Sequence, residues 1–274
     1  MSQNLQALGN EQEVRLIGFG GGLSKHHEAA ARITSQARQF SQIHSIKNYS
    51  EADLPDKYFE LFNDFPVRFP KGYGLWSWKP FLIHQELQNL NLNDILIYVD
   101  AGCELNPQGS PKLDFYLSET SKHEVLLFEL NLPNRYWSKN HPLLTGNTKH
   151  FFRNHIMGTV LFIKNTERTQ KFIKHWLDLC SANDGELLQD PHTNDPQISG
   201  FQLHRHDQSC LSIAAYEEGF ATIPDPTYYE YWSDGKAEPI LALRNISGIS
   251  KLKNQLYPSI IKQIKRKIKL TFYT

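Results

Sequence analysis

Cysteine is scarce: Cys103, Cys180 and Cys210 are the only three in 274 residues. The number is odd and no CxxC occurs, which argues against a disulfide framework or a thiolate zinc site and suits a reducing, cytoplasmic setting. Long apolar runs are missing too. None approaches the ~20 residues that span a bilayer. Met1 to Glu13 is polar, without a basic or apolar leader region, so no signal peptide is expected. The chain has no internal repeat and no low-complexity segment. It also lacks net charge, with 29 basic against 29 acidic residues. Hydrophobic residues at 40% and charged residues at 21% are those of an ordinary globular protein. The length allows one sizeable domain or two small ones.

The balance of charge hides an asymmetry. Seven basic residues and no acidic ones fall between Lys251 and the C-terminus, leaving 22 basic against 29 acidic groups in the first 250 residues. Pro258 to Leu270 reads as a short basic amphipathic helix, with Ile260, Ile261, Ile264 and Ile268 on one side. It is either a solvated terminal helix or a peripheral attachment to an anionic membrane, each Lys or Arg contributing about 1 kcal/mol. The acidic remainder argues against nucleic acid as a partner.

Along the chain, strands alternate with helices. Val14–Phe19 reads as a strand, Lys25–Phe40 as a helix with Ala30, Ile33, Ala37 and Phe40 on one face, and Ile43–Ile46 as a second strand. Pro66, Pro70, Gly72 and Gly74 mark an irregular stretch. A helix over Trp78–Leu90 follows, with Pro80 in its first turn. Asp94–Asp100 (DILIYVD) is a continuous apolar strand closed by a carboxylate. Val125–Glu129 and Gly158–Ile163 are further strands, and Thr166–Cys180 and Asp207–Glu218 further helices. Asn183–Gly200 is expected as a surface loop and Pro224–Gly235 as an aromatic, irregular segment. The alternation predicts an α/β fold with a central, mainly parallel sheet flanked by helices. Ligands of such sheets bind beyond the C-terminal strand ends, where Asp100 is expected.

Several familiar motifs are incomplete. Gly18–Lys25 (GFGGGLSK) has Leu23 where a dinucleotide fingerprint needs glycine, and Lys25 follows Ser24 where a P-loop needs the reverse. It is a flexible turn, or a backbone that lets a nucleotide approach. Asp100-Ala101-Gly102 could hold a divalent cation beside a diphosphate, or be a turn Asp bonding its own backbone. Glu104 is a second carboxylate or merely exposed. Gly72–Pro80 (GYGLWSWKP) could stack a base and place Lys79 near phosphates, or pack as an aromatic core. In His204–Gln208 (HRHDQ), a histidine ligand beside an acid/base Asp207 competes with a plain helix start. Arg135–Lys139 is a loop that could overhang the same place.

Taken together, these segments resemble a bacterial glycosyltransferase family of GT-A type, associated with capsule and lipopolysaccharide sugars. The matching residues are Arg32 with Gln36-Ala37, YSEADL (Tyr49–Leu54), GYGLWSWKP, DILIYVDAG (Asp94–Gly102), Trp137-Ser138-Lys139, Gly158–Trp176 and HRHDQS (His204–Ser209). They span roughly Val14 to Ser233, and WSWKP followed by YVDAG is the specific part. The resemblance implies a GT-A (Rossmann-like) nucleotide-diphospho-sugar transferase fold over residues 1–235, with residues 236–274 a C-terminal extension. It implies a nucleotide-sugar donor, with a UDP-sugar the expected one, and a saccharide or lipid-linked acceptor in cell-surface polysaccharide synthesis. The enzyme would be cytoplasmic, or peripheral at the inner face of the plasma membrane. The donor would meet Arg32, Trp78, Lys79, Asp100, Ala101, Gly102 and Lys139. The acceptor would meet Trp137, Gly158 and Gln208. Asp207 would be the catalytic base, and Asp100 with His206 would hold Mn2+ or Mg2+. Gly102 stands where the family's DxD-type metal motif has its second Asp. A sugar nucleotidyltransferase and a non-catalytic carbohydrate-binding module are the rival readings.

Overall fold

The computed structural model describes residues 12–146, 148–227 and 234–252. Strand periodicity sets the layers. In β1 (Val14–Phe19), Leu16 joins one buried cluster and Ile17 the other. In β3 (Ile95–Val99), Ile95, Ile97 and Val99 face one side, and Leu96 and Tyr98 the other. Successive side chains of a strand point to opposite faces. Both faces are buried here, so the segment is apolar throughout.

The main sheet has seven strands in the order β2 (Ser45–Tyr49), β1, β3, β7 (Val160–Lys164), β5 (Val125–Pro133), β6 (Asn154–Ile156), with β8 (Thr222–Pro224) also on β5. β2, β1, β3, β5 and β8 run one way, and β7 and β6 the other. The expected α/β architecture, a mainly parallel sheet flanked by helices, is thus observed. On one face pack α5 (Trp78–Asn89), α10 (Glu167–Gly185) and α11 (Asp207–Glu217), contributing Leu82, Phe172, Trp176 and Leu211. On the other lie α1 (Ser24–Ala37) and α6 (Ser110–His123), contributing Ile33, Leu113 and Tyr116. α10 starts at a capping box: Thr166 accepts from the Thr169 N–H and the Thr169 hydroxyl answers to the Thr166 N–H.

Some expectations shift. The strand expected at Gly158–Ile163 starts at Val160, leaving Gly158 in the β6–β7 turn. The irregular stretch after β2 contains three short helices, α2 (Asp56–Phe62), α3 (Phe65–Arg68) and α4 (Gly72–Leu75). Three more, α7 (Asn134–Trp137), α8 (Pro142–Thr145) and α9 (Thr148–Phe151), separate β5 from β6. α6 was not expected, because only Leu113, Tyr116 and Thr120 of its residues are buried and the periodic signal is thin. The start of the expected extension is stitched to the α/β body: β9 (Ile240–Leu241) pairs with β4 (Glu104–Leu105), and Asn245 donates to Glu104. The basic helix expected at Pro258–Leu270 and the aromatic residues 228–233 lie outside the described residues. Among the described residues no helix is long and apolar enough to cross a membrane.

Candidate active site

Four chain segments converge on Lys79. It is the second residue of α5, and Pro80 follows in the first turn, where a missing N–H breaks no helical bond. The Lys79 side chain passes inward and is almost wholly buried. Its Nζ lies 3.2 Å from Asp100 Oδ1, just beyond β3, and 3.2 Å from Asp207 Oδ2, the first residue of α11. It donates to the Gly158 carbonyl at 2.9 Å. Burial pulls the Lys79 pKa down, but Asp100 and Asp207 more than offset it and the net shift is upward. The ammonium therefore persists at neutral pH.

Two carboxylates share this one cation, so full ionisation leaves an excess negative charge in a buried place. Asp207 absorbs the consequence. Its side chain is 6% exposed against 27% for Asp100. Burial pushes its pKa up to about 6, against the pull of Lys79 and with a further push from Asp100. Its Oδ2 meets Lys79 in the 3.2 Å ion pair and has no second partner. The Trp176 indole donates to the Asp207 carbonyl at 2.9 Å and ties the start of α11 to α10. Gly158 leaves room at the carboxylate, since a Cβ there would sit 3.5 Å from Asp207 Oδ2.

Asp100 is the solvent-reached member. Tyr98 donates its hydroxyl to Asp100 Oδ1, which Lys79 also approaches. Burial first, and Asp100 second, push the Tyr98 phenol well above its ordinary pKa, so it stays a donor. Tyr98 had no expected role. The available signal was its position two residues before Asp100, on the same side of the strand.

Backbone strain borders this centre. Gly72, Tyr73, Gly74, Leu75 and Trp76 all have positive φ, from 51° to 85°. His206, immediately before Asp207, has φ of 46°. Bulky residues in this region each cost about 1–3 kcal/mol and persist only where the surroundings hold them. The Trp76 and His206 rings face each other at 5.5 Å, so the two strained segments brace one another.

Other expected site residues are engaged elsewhere. Arg32 donates to the carbonyls of Ala101, Cys103, Asn245 and Ser247 and to Gln36 Oε1. All its N–H directions are used, so it holds the Asp100–Cys103 turn from behind instead of presenting a cation. Trp78 is core: it stacks on Phe19 at 4.0 Å and donates to the Gly72 carbonyl. Lys139 gives its ammonium to the Glu186 carbonyl. Ala101 and Gly102 keep the turn beside Asp100, with the Gly102 carbonyl accepting from Asn245 N–H. Gln208 accepts from the Gly158 N–H at 3.4 Å, and Trp137 lies beneath Arg205 at 4.6 Å. Glu104 is neither exposed nor a second site carboxylate: it is fully buried and accepts from Gln36, Asn245, Ser250 and the Lys251 N–H.

His204 and His155 are pinned as neutral donors and acceptors. His204 Nε2 donates to the Leu187 carbonyl, so its Nδ1 accepts from Lys139 N–H. Burial, then His206, depress its pKa well below the usual range. His155 lies between the Ser138 and Ser212 hydroxyls, and burial, helped by Arg205, lowers its pKa to about 3.

The expected metal set is incomplete among the described residues. His206 Nδ1 donates to the Leu188 carbonyl, and its Nε2 lies 3.7 Å from Asp190. Lys79 stands against Asp100 where the cation would bind, and position 102 supplies no carboxylate. Among the described residues no group of three His, Cys, Asp or Glu side chains could hold a metal ion.

No protein-family model and no curated protein matches the chain. It is similar to solved structures. One is a glycosyltransferase involved in glycosylation of the major capsid of PBCV-1, at 10% identity and TM-score 0.42, over 94% of this chain and 99% of that one. Another is apo mouse xyloside xylosyltransferase 1, at 12% identity and TM-score 0.44, over 81% and 90%. A third is the glycosyltransferase GlyE of Streptococcus pneumoniae TIGR4, at 14% identity and TM-score 0.38, over 88% of this chain and 55% of that one. At these levels the similarities transfer no residue role, and the functional argument rests on the Lys79 centre itself.

Proposed function

We propose that this chain is a GT-A-type glycosyltransferase. It moves a sugar from a nucleotide-diphospho-sugar, with UDP the expected carrier, to a saccharide or lipid-linked acceptor of cell-surface polysaccharide, capsular or lipopolysaccharide. The observation that carries the reading is the Asp100–Lys79–Asp207 cluster at the C-terminal end of β3. Open α/β sheets bind ligands at such an end. The resemblance of WSWKP, YVDAG and HRHDQS points to the same residues.

Transfer breaks the bond between the sugar's anomeric carbon and the phosphate oxygen, and the electron pair leaves with the nucleoside diphosphate. The acceptor oxygen bonds that carbon and gives up its proton to a base. We divide the roles between the two carboxylates. Asp100 reaches the ligand, with Oδ1 fixed by Lys79 and Tyr98 and Oδ2 open to a hydroxyl. Asp207, expected as the base, lies behind Lys79 and sets the charge of the cluster. When Asp207 is ionised, the extra negative charge makes the cluster a stronger proton acceptor. Gly158 and Gln208 flank Asp207, Trp137 lies beneath Arg205, and we assign all three to the acceptor side. The basic residues of 251–274 would hold the enzyme at the inner face of the plasma membrane.

A panel of nucleotide-sugars tests the reading through thermal shift and nucleoside diphosphate release. A ligand of the native state at a hundred times its Kd adds about 2.7 kcal/mol of stability. At least one donor should raise the Tm and release its diphosphate when acceptor saccharides are added. A panel that neither stabilises the protein nor turns over would contradict the proposal.

A further inference from the structure

Lys79 is buried and already shared by two carboxylates, so it has little charge to offer a diphosphate. Two other cations flank the same centre. Arg205 precedes His206 and Asp207, and its carbonyl accepts from the Gln208 N–H in the turn that opens α11. Its guanidinium lies 4.6 Å from the centre of the Trp137 ring. Its Nε is sealed from solvent and has no hydrogen-bond partner. Arg244 stands on the other side, against the Asp100–Cys103 turn. The Gly102 carbonyl accepts from Asn245 N–H at 2.7 Å, and a Cβ at Gly102 would meet Arg244 Cα at 3.5 Å. Arg244 is exposed and has φ of 53°, an uncommon conformation for a residue with a side chain.

Among the described residues neither arginine has a carboxylate partner, whereas Arg15, Arg32 and Lys79 each meet one. Burial first, and the Arg244 charge second, lower the Arg205 pKa. A cation with an unsatisfied buried donor is a costly arrangement that a bound anion relieves. Guanidinium groups suit phosphate oxygens because their planar N–H forks can bind two at once. Trp137 holds one of the planes in place.

We propose that Arg205 and Arg244 form a clamp for the diphosphate of the nucleotide-sugar, across the mouth of the Asp100–Asp207 centre. The inference rests on the transferase reading and deepens it, by assigning the donor's phosphates to residues that have no carboxylate partner among the described residues. Gly102 then has a purpose beside Arg244: its missing side chain lets the phosphates approach the turn.

Calorimetric titration of the full chain with UDP and with inorganic pyrophosphate tests the clamp. Wild type is compared with Arg205→Met, Arg205→Lys and Arg244→Met. Loss of a charge-assisted contact should weaken both probes about tenfold or more in each Met variant. Arg205→Lys should recover only part of the loss, since an ammonium cannot form the fork. Arg244 is exposed, so Arg244→Met should fold as wild type does, whatever happens at Arg205. Loss of binding in the variants supports the clamp even if no nucleotide-sugar is turned over, which would sink the transferase reading alone. Unchanged affinity in both Met variants of a protein that binds UDP overturns the clamp and leaves the transferase reading standing. A wild-type protein that binds neither probe overturns the clamp as well.

Discussion

Replacing Lys79 with Met should destabilise the protein by about 3–5 kcal/mol at pH 7, the usual cost of leaving a buried charge without its partner. The variant keeps the volume of the side chain and removes its charge, so Asp100 and Asp207 face each other unneutralised. The effect carries a pH signature. The Lys79 pKa is raised above its ordinary 10.5, so its stabilising charge is fully present at pH 7 and would fade only above that value. The Asp207 pKa is raised to about 6 from 3.8, so its ionisation weakens the fold as pH rises through that interval. Acidification protonates Asp207 and relieves the variant more than the wild type. Urea unfolding should therefore show a smaller difference at pH 4.5 than at pH 7. Adding Asp207→Asn to Lys79→Met should restore part of the loss at neutral pH. A pH-independent difference below 1 kcal/mol would show that the cluster does not carry the charge balance described.

Asp100→Asn should lower the turnover of the donor by about a hundred- to ten-thousandfold, the range for losing a general base. The substitution is nearly isosteric, and the amide can still accept from Tyr98 through its oxygen. Asp100 is part-exposed and lies outside the sheet, so folding should survive with little change in Tm. The loss should appear in kcat more than in KM, because the carboxylate acts as the acceptor proton leaves and not in holding the diphosphate. If donor consumption in the folded variant matches wild type, Asp100 does not touch the reacting atoms.

The sheet was legible because its central strands are buried on both faces. DILIYVD has to sit between neighbours and between helices, and the carboxylate that ends it has to emerge at the strand terminus. Lys79 and Asp207 were legible as residue types near motifs, but their meeting was not. It depends on α5 and α11 starting at one point of the sheet, a long-range fact with no local signal. The same gap misassigned Arg32 and Trp78, whose chemistry suits a ligand but whose partners are backbone carbonyls and Phe19. Glu104 was open in the sequence because a buried carboxylate and an exposed one look alike until Asn245, Ser250 and Lys251 return from far along the chain. The left-handed run from Gly72 to Trp76 was hidden because only two of its five residues are glycine. The expected Asp100–His206 metal pair gains no third His, Cys, Asp or Glu ligand among the described residues, and Lys79 already supplies a cation to Asp100 Oδ1.

The most direct measurement of the shared-charge centre is the pH dependence of donor turnover in wild type and in Asp207→Asn. The midpoint belongs to the coupled cluster and not to one residue. Wild-type kcat/KM should climb to a plateau through a midpoint near 6, as Asp207 loses its proton. Asn cannot ionise, so the variant should lose that acid limb and stay near the level wild type shows below the midpoint. An unaltered acid limb in Asp207→Asn would mean that the buried carboxylate behind Lys79 has no part in the reaction.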